Sequence, residues 1–158
     1  MSALGGDLRL LMGEGDLIQL ALEATTTVGS QLPPWRSLPH QSVSPQMLLT
    51  LFTYSYAAGR YSSEDVEWAC QADPATRYIC GHAVVELDTL KAFRRGNRPW
   101  IEAALARVLE RANEMKQLAG GESGWGQLSE GQGRDAAWLD LARRRLELAM
   151  LMDMAMAD

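Results

Sequence analysis

The stretch that decides the fold is SPQMLLTLFTYSYAAG, residues 44–59. Ser44 is a favoured N-cap residue, and Pro45 then takes the first helical position, where its missing N–H costs nothing. The residues that follow carry a wide apolar face, and the run ends at Gly59. The members of that face are Met47, Leu48, Leu51, Phe52 and Tyr56. This pattern predicts the central core helix of the molecule.

A further helix is predicted before the core helix. Asp16 can cap the segment LIQLALEATTTVG, which ends at Gly29. Residues 30–44 contain three prolines among polar side chains, a composition typical of an irregular connector.

Two short helices are predicted after the core helix. Ser62 followed by Asp65 fits the capping-box pattern at the start of the first. Pro74 starts the second, and Gly81 closes it.

A basic helix and a longer helix come next. Asp88 or Thr89 can cap the segment TLKAFRR, which Gly96 ends, and Pro99 opens the longer helix. The apolar residues of the longer helix recur at helical spacing, at Ile101, Leu105, Val108, Ala112 and Met115.

The domain organisation follows from a glycine-rich segment. Residues 119–133 contain six glycines, which is typical of a flexible linker. One more helix is predicted from Arg134 to Met156. We therefore predict an all-α fold, with a compact multi-helix domain over residues 1–118, a linker over 119–133 and an amphipathic helix within 134–158.

The composition is that of a globular protein, with 47% hydrophobic and 22% charged residues in 158. No apolar run approaches the roughly 18 residues of a membrane span, and the N-terminus lacks the apolar region of a signal peptide. Two cysteines are too few for a disulfide scaffold. We expect a soluble cytoplasmic protein.

Residues suited to catalysis are scarce. The only histidines are His40, in the proline-rich connector, and His82, in a turn beside Cys80. Cys80 and His82, with Cys70 before them, do not have the spacing of a zinc site, and a fourth ligand is not evident. The acids within residues 64–67 suit the start of a helix better than a metal cluster. No glycine-rich phosphate loop or nucleophile elbow occurs. We therefore predict that the protein is not an enzyme and holds no metal or cofactor.

Positive charge is concentrated in one short segment. Residues 89–98 carry four cations and no acid, a charge of +4, whereas the whole chain carries −5, so the remainder carries −9. The four cations are Lys91, Arg94, Arg95 and Arg98. DNA phosphates attract such a segment, and a helix preceded by a tight turn has the shape that enters a major groove. The alternative interpretation is a solvated basic face on an acidic protein.

Helical spacing predicts two faces for the basic segment. Lys91 lies three residues before Arg94 and four before Arg95, so these side chains can project together. Leu90 and Phe93 are then expected to pack inward.

Residues 44–81, followed by ELDTLKAFRR at 86–95, resemble the N-terminal domain of DDE transposases from bacterial insertion sequences, the InsH-like type. The family pattern runs from a Pro-Met-Leu-like helix start through Tyr-x-x-Gly and Ser-Ser to a Thr-Leu-x-x-Phe-Arg helix. In this chain the pattern falls on Pro45, Met47, Leu48, Tyr56, Gly59, Ser62, Ser63, Val66, Glu67, Asp73, Tyr78, Gly81, Asp88, Thr89, Phe93 and Arg94. The resemblance spans residues 44–112.

The resemblance implies a helix-turn-helix-like module that recognises the terminal inverted repeats of the element in double-stranded DNA. Lys91, Arg94, Arg95 and Arg98 would contact phosphates and bases, and Thr89 would cap the helix and reach a phosphate. In a full transposase a catalytic domain of roughly 100 residues or more follows. Only 38 residues follow Gly120. We therefore expect a truncated transposase or a stand-alone regulator that binds DNA without cutting it.

The last predicted helix has an apolar, methionine-rich face. Its candidate partner-binding residues are Trp138, Leu139, Leu146, Met150 and Met154. Such a face can pack on its own domain, pair with a second copy or belong to the severed start of a missing domain. A homodimer through residues 134–156 would suit a two-fold DNA target. The alternative function is a protein–protein interaction module that uses this helix and the acidic surface.

Overall fold

The described part of the chain is helical. The computed structural model describes residues 7–29, 44–118 and 132–156, and these ranges contain no β-strand. The helices are α1 (Arg9–Met12), α2 (Glu14–Gly29), α3 (Pro45–Ala57), α4 (Ser63–Ala72), α5 (Pro74–Ile79), α6 (Leu87–Leu118) and α7 (Gln132–Met156). The predicted all-α fold is confirmed. The predicted linker at 119–133 lies outside the described residues, apart from its last two positions, which belong to α7.

Helix α3 is the centre of the core, as its sequence predicts. The Ser44 hydroxyl caps it by accepting the N–H of Met47 at 3.1 Å. Every residue of α3 from Leu48 onward is buried, and α2, α5, α6 and α7 all contact this helix. Two of its buried hydroxyls, those of Thr50 and Thr53, bond inside the protein. The hydroxyl of Thr50, for example, lies 2.8 Å from that of Thr25 on α2.

The start of α2 differs from the prediction. The helix begins at Glu14, so Asp16 lies in its first turn instead of capping it. Both acids still interact favourably with the positive end of the helix dipole. Gly13 adopts a φ of +90°, which glycine tolerates best, and so turns the chain between α1 and α2.

Helices α4 and α5 begin at local side-chain caps. The Ser62 hydroxyl accepts the N–H of Asp65 at 3.0 Å, which confirms the predicted start of α4. The carboxylate of Asp73 accepts the N–H of Thr76 at 3.0 Å at the start of α5. Gly81 has a φ of +58° and ends this segment as predicted.

Helix α6 consists of two helical segments that meet at a kink, so the predicted break between a basic helix and a longer helix is confirmed. The break falls at Asn97, directly after Gly96, where φ is −133°. Pro99 has no N–H to offer the carbonyl of Arg95, which explains a distortion at this point. The Asn97 side chain donates to the carbonyl of Phe93 at 3.0 Å and replaces part of the interrupted bonding.

Helix α7 docks on the same domain. It packs against α6 and also contacts α3 and α4. Its buried residues are Trp138, Ala142, Arg145, Leu146 and Ala149. Of the three arrangements that the sequence leaves open, the structure shows packing on the chain's own core.

A buried arginine anchors α7 to the end of α3. Arg145 is 1% exposed. Its Nη1 donates to the carbonyl oxygens of Tyr56 at 2.7 Å and Ala57 at 3.4 Å. These carbonyls belong to the last turn of α3, the negative end of the helix dipole, where a cation is favourable. Burial lowers the pKa of Arg145, and the neighbouring Tyr61 and Asp7 oppose that shift.

Candidate nucleic-acid interface

The segment of α6 before the kink, residues 87–96, carries Lys91, Arg94 and Arg95. Its first N–H, on Leu87, donates to Oε2 of Glu67 at 2.9 Å, so a side chain of α4 caps this helix. The expectation that Asp88 or Thr89 caps it is therefore wrong. Because the helix begins before Thr89, this residue lies in the first turn with its side chain in the core, 3% exposed. A buried Thr89 cannot reach a phosphate.

The predicted inward packing of Leu90 and Phe93 is confirmed, whereas Arg94 does not project freely with Lys91 and Arg95, because its side chain is only 11% exposed. Leu90 and Phe93 are completely buried, and the ring of Phe93 stacks on that of Phe52 with 6.0 Å between centroids. Arg95 is exposed and Lys91 is half-buried. The apolar side thus fixes the helix to the core while cations remain on the other side.

All four predicted DNA-binding cations line one groove, which we call the basic groove. It lies between residues 91–98 of α6 and the end of α7 and has a volume of about 420 Å³. Its α6 wall is formed by Lys91, Arg94, Arg95 and Arg98, and its α7 wall by Met150, Asp153 and Met154. Four cations against one carboxylate leave the lining residues positively charged, on a chain that is acidic as a whole.

The four cations differ in how available they are to bind an anion. Arg98 Nη2 lies 3.9 Å from a carboxylate oxygen of Glu102, one turn further along α6. Arg94 Nη1 forms a much closer ion pair, 2.6 Å, with Oδ2 of Asp153. Among the described residues, Lys91 and Arg95 have no acidic partner within 4.0 Å. These two are therefore the cations most available to an incoming anion.

The Arg94–Asp153 pair is largely shielded from solvent, with side-chain exposures of 11% and 9%. Burial alone would lower the pKa of Arg94, but neighbouring Tyr56 and Asp153 outweigh it, and the pKa is raised. Burial would likewise raise the pKa of Asp153, but hydrogen bonds from Ser63 and the guanidinium of Arg94 hold it below its usual value. Both groups are therefore charged at neutral pH.

The predicted partner-binding residues of α7 divide into two sets. Trp138 and Leu146 are buried in the chain's own core. Met150 is half-buried in the groove wall, whereas Leu139 and Met154 are 37% and 68% exposed. A homodimer through residues 134–156 stays a prediction, and in this arrangement only the exposed set is open to a second copy.

The three consecutive arginines of α7 point in different directions, as the helical period predicts. Arg143 pairs with Glu102 across the α6–α7 contact at 3.4 Å, and Arg144 pairs with Asp140 on the surface at 3.0 Å. Arg145 points into the core. Sequence reasoning missed its burial, although it lies at helical spacing from Trp138 on the buried face.

The two cysteines form a buried pair. Their sulfur atoms lie 3.5 Å apart, and both thiols are free, in accord with the sequence interpretation. The contact with Cys80, together with burial, raises the pKa of Cys70. Within the described ranges, no three His, Cys, Asp or Glu side chains are grouped to hold a metal ion. No helix in those ranges has the length and apolarity needed to cross a membrane.

Comparison with known families relates the core of this chain to transposases. Residues 24–96 match a family model described as a transposase domain, DUF772. The match covers somewhat less than half of the 158 residues and runs from the last turns of α2 into α6, up to the kink. It includes Lys91, Arg94 and Arg95 and ends before Arg98 and before α7. Curated proteins and solved structures give no match.

Proposed function

We propose that this transposase-related chain is a module that binds duplex DNA and recognises the inverted repeats at the ends of an element without carrying out strand cleavage. The observation that carries the proposal is the basic groove, which gathers four cations on one surface of a chain with a net charge of −5. Phosphate contacts of this kind supply much of the affinity of DNA-binding modules. The match to a transposase domain supports the same function.

In this proposal the segment of α6 before the kink, residues 87–96, is the recognition helix. The short helix α5 and the turn at residues 80–86 precede it, as in a helix-turn-helix element. Lys91 and Arg95 are the principal phosphate contacts, because no acid neutralises them among the described residues. Arg98 lies beyond the kink at Asn97 but lines the same groove.

Fluorescence anisotropy on duplexes with and without inverted repeats tests the proposal. Each phosphate contact should steepen the log–log dependence of the binding constant on salt by about 0.9. Two contacts would give a slope of about −1.8, and all four cations about −3.6. Stronger binding to the inverted repeats would support sequence recognition.

A matched pair of double variants separates groove contacts from overall charge. Lys91→Gln with Arg95→Gln should abolish most binding and flatten the salt dependence. Arg107→Gln with Arg111→Gln removes the same charge from exposed positions outside the groove and outside α5, and should retain binding. Both doubles should keep nearly the wild-type unfolding temperature. Equal losses in the two doubles would refute the proposed function.

A further inference from the structure

The basic groove contains a carboxylate bound by donors that also suit a phosphate. Oδ2 of Asp153 lies 2.6 Å from Nη1 of Arg94 and accepts the hydroxyl of Ser63 at 2.6 Å. Oδ1 of Asp153 accepts the backbone N–H of Ser63 at 2.7 Å. The Ser63 hydroxyl in turn accepts from Nη1 of Arg94 at 3.3 Å. One serine and one arginine thus hold both oxygens of the carboxylate.

These donors are the groups that proteins use on the DNA backbone. A guanidinium, a hydroxyl and an N–H at a helix N-terminus all bind phosphate oxygens. Ser63 is the first residue of α4, so its N–H has no partner within the helix and points outward. A carboxylate and a phosphate cannot occupy these donors at the same time.

We propose that Asp153 is an autoinhibitory substitute for a DNA phosphate, and that the end of α7 must leave Ser63 and Arg94 before the basic groove can bind duplex DNA. The inference rests on the proposed function, because it describes how DNA binding to the same groove is regulated. It assigns Arg94 a role different from that of Lys91 and Arg95, because its charge becomes available only after the carboxylate is displaced.

Beyond Ala149, α7 is held by the polar contacts of Asp153 and by the half-buried Met152, and not by fully buried apolar side chains. The fully buried positions of the helix end at Ala149. Beyond that point Leu151 and Met154 are exposed, and Met152 is only half-buried. Few apolar contacts therefore oppose separation of the last turns, which can open locally while the core stays folded.

Replacing the carboxylate by its neutral isostere tests the competition. In Asp153→Asn the charge that competes with DNA is removed, so the fraction of binding-competent protein rises and the apparent affinity rises with it. We expect the variant to bind duplex DNA roughly tenfold more tightly than wild type at the same salt concentration. Asp140→Asn makes the same change in net charge at an exposed position of α7 that pairs with Arg144, outside the groove. It should alter binding far less, because screened charges act weakly at a distance.

A second measurement uses the wild-type chain, so its result does not depend on whether the variant folds. With labelled methionine methyl groups, NMR should show Met154 gaining the fast motion of a released helix end when DNA is added. Met47, at the start of α3, should keep its motion. The Ser63 amide resonance should shift as its carboxylate partner is replaced.

The outcomes separate the two proposals. If wild type binds DNA but Asp153→Asn folds and binds no more tightly than Asp140→Asn, the autoinhibitory role is wrong and the proposed function stands. DNA-bound wild type with unchanged Met154 and Ser63 signals would overturn the autoinhibitory role in the same way. If no form binds duplex DNA at low salt, both proposals fail.

Discussion

Replacing Leu146 with alanine should test the docking of α7 most directly. Leu146 lies on α7 and is completely buried, whereas Leu148, two residues later on the same helix, is 38% exposed. Removing a buried leucine side chain loses its transfer free energy and leaves a cavity, which together cost about 2–5 kcal/mol. The same substitution at Leu148 should cost well under about 1 kcal/mol, because the side chain already contacts water.

Urea unfolding monitored by circular dichroism gives the free energy of unfolding of each variant, and thermal unfolding gives its Tm. For a chain of this size about 1 kcal/mol corresponds to roughly 2–4 °C in Tm, so Leu146→Ala should melt roughly 4–20 °C below wild type. The two variants should be compared at several protein concentrations. Equal costs at both positions, or a Leu146→Ala cost that appears only at high concentration, would refute intramolecular docking and favour pairing of copies through α7.

Four further outcomes follow from buried groups. Phe93→Ala should cost about 3–5 kcal/mol in urea unfolding, and a loss below about 1 kcal/mol would contradict its place in the core. Arg145→Met keeps most of the side-chain volume but removes the donors from the α3 carbonyls, so it should cost about 1–3 kcal/mol; wild-type stability would show that these bonds contribute nothing net. The lowered pKa of Asp153 stabilises the fold above its unfolded pKa of about 3.9, and this stabilisation is lost as the pH falls through the lower folded value. The stability difference between wild type and Asp153→Asn should thus be constant from about pH 5 to 8 and shrink below about pH 4, and a difference that changes near neutrality would assign it to another group. Cys70 and Cys80 should react with a thiol reagent only after unfolding, and fast labelling of the folded protein would contradict their burial.

The helix starts show what sequence reasoning can and cannot provide. The starts at Ser44 and Ser62 were predictable, because the capping hydroxyl and the N–H that it accepts lie three residues apart. The start of α6 was not, because its cap is Glu67, which lies 20 residues before the N–H of Leu87. A cap supplied by another helix depends on tertiary packing, which no local pattern records.

In the basic groove, too, local contacts could be predicted from the sequence and contacts between helices could not. Helical spacing was sufficient to place Phe93 inside and Arg95 outside. It could not show that Asp153 would lie beside Arg94, because that contact depends on how α7 docks. The face of α7 was also misjudged, since an arginine is rarely fully buried and Arg145 was therefore left out of the apolar pattern. With Arg145 on the inner side, the buried stripe is rotated away from the predicted one, and Leu139 and Met154 face water.

The bond from Arg145 to Tyr56 has a consequence for synthesis on the ribosome. It joins residues 89 positions apart. At about 5–20 residues per second, roughly 4 to 18 seconds pass between translation of the two partners. During that interval the end of α3 lacks its arginine, and the side of α6 that α7 will cover faces the solvent or a chaperone. The nascent chain is therefore only partly folded until α7 has been translated. Codon changes that slow translation between these positions should increase its aggregation or proteolysis without altering the mature protein.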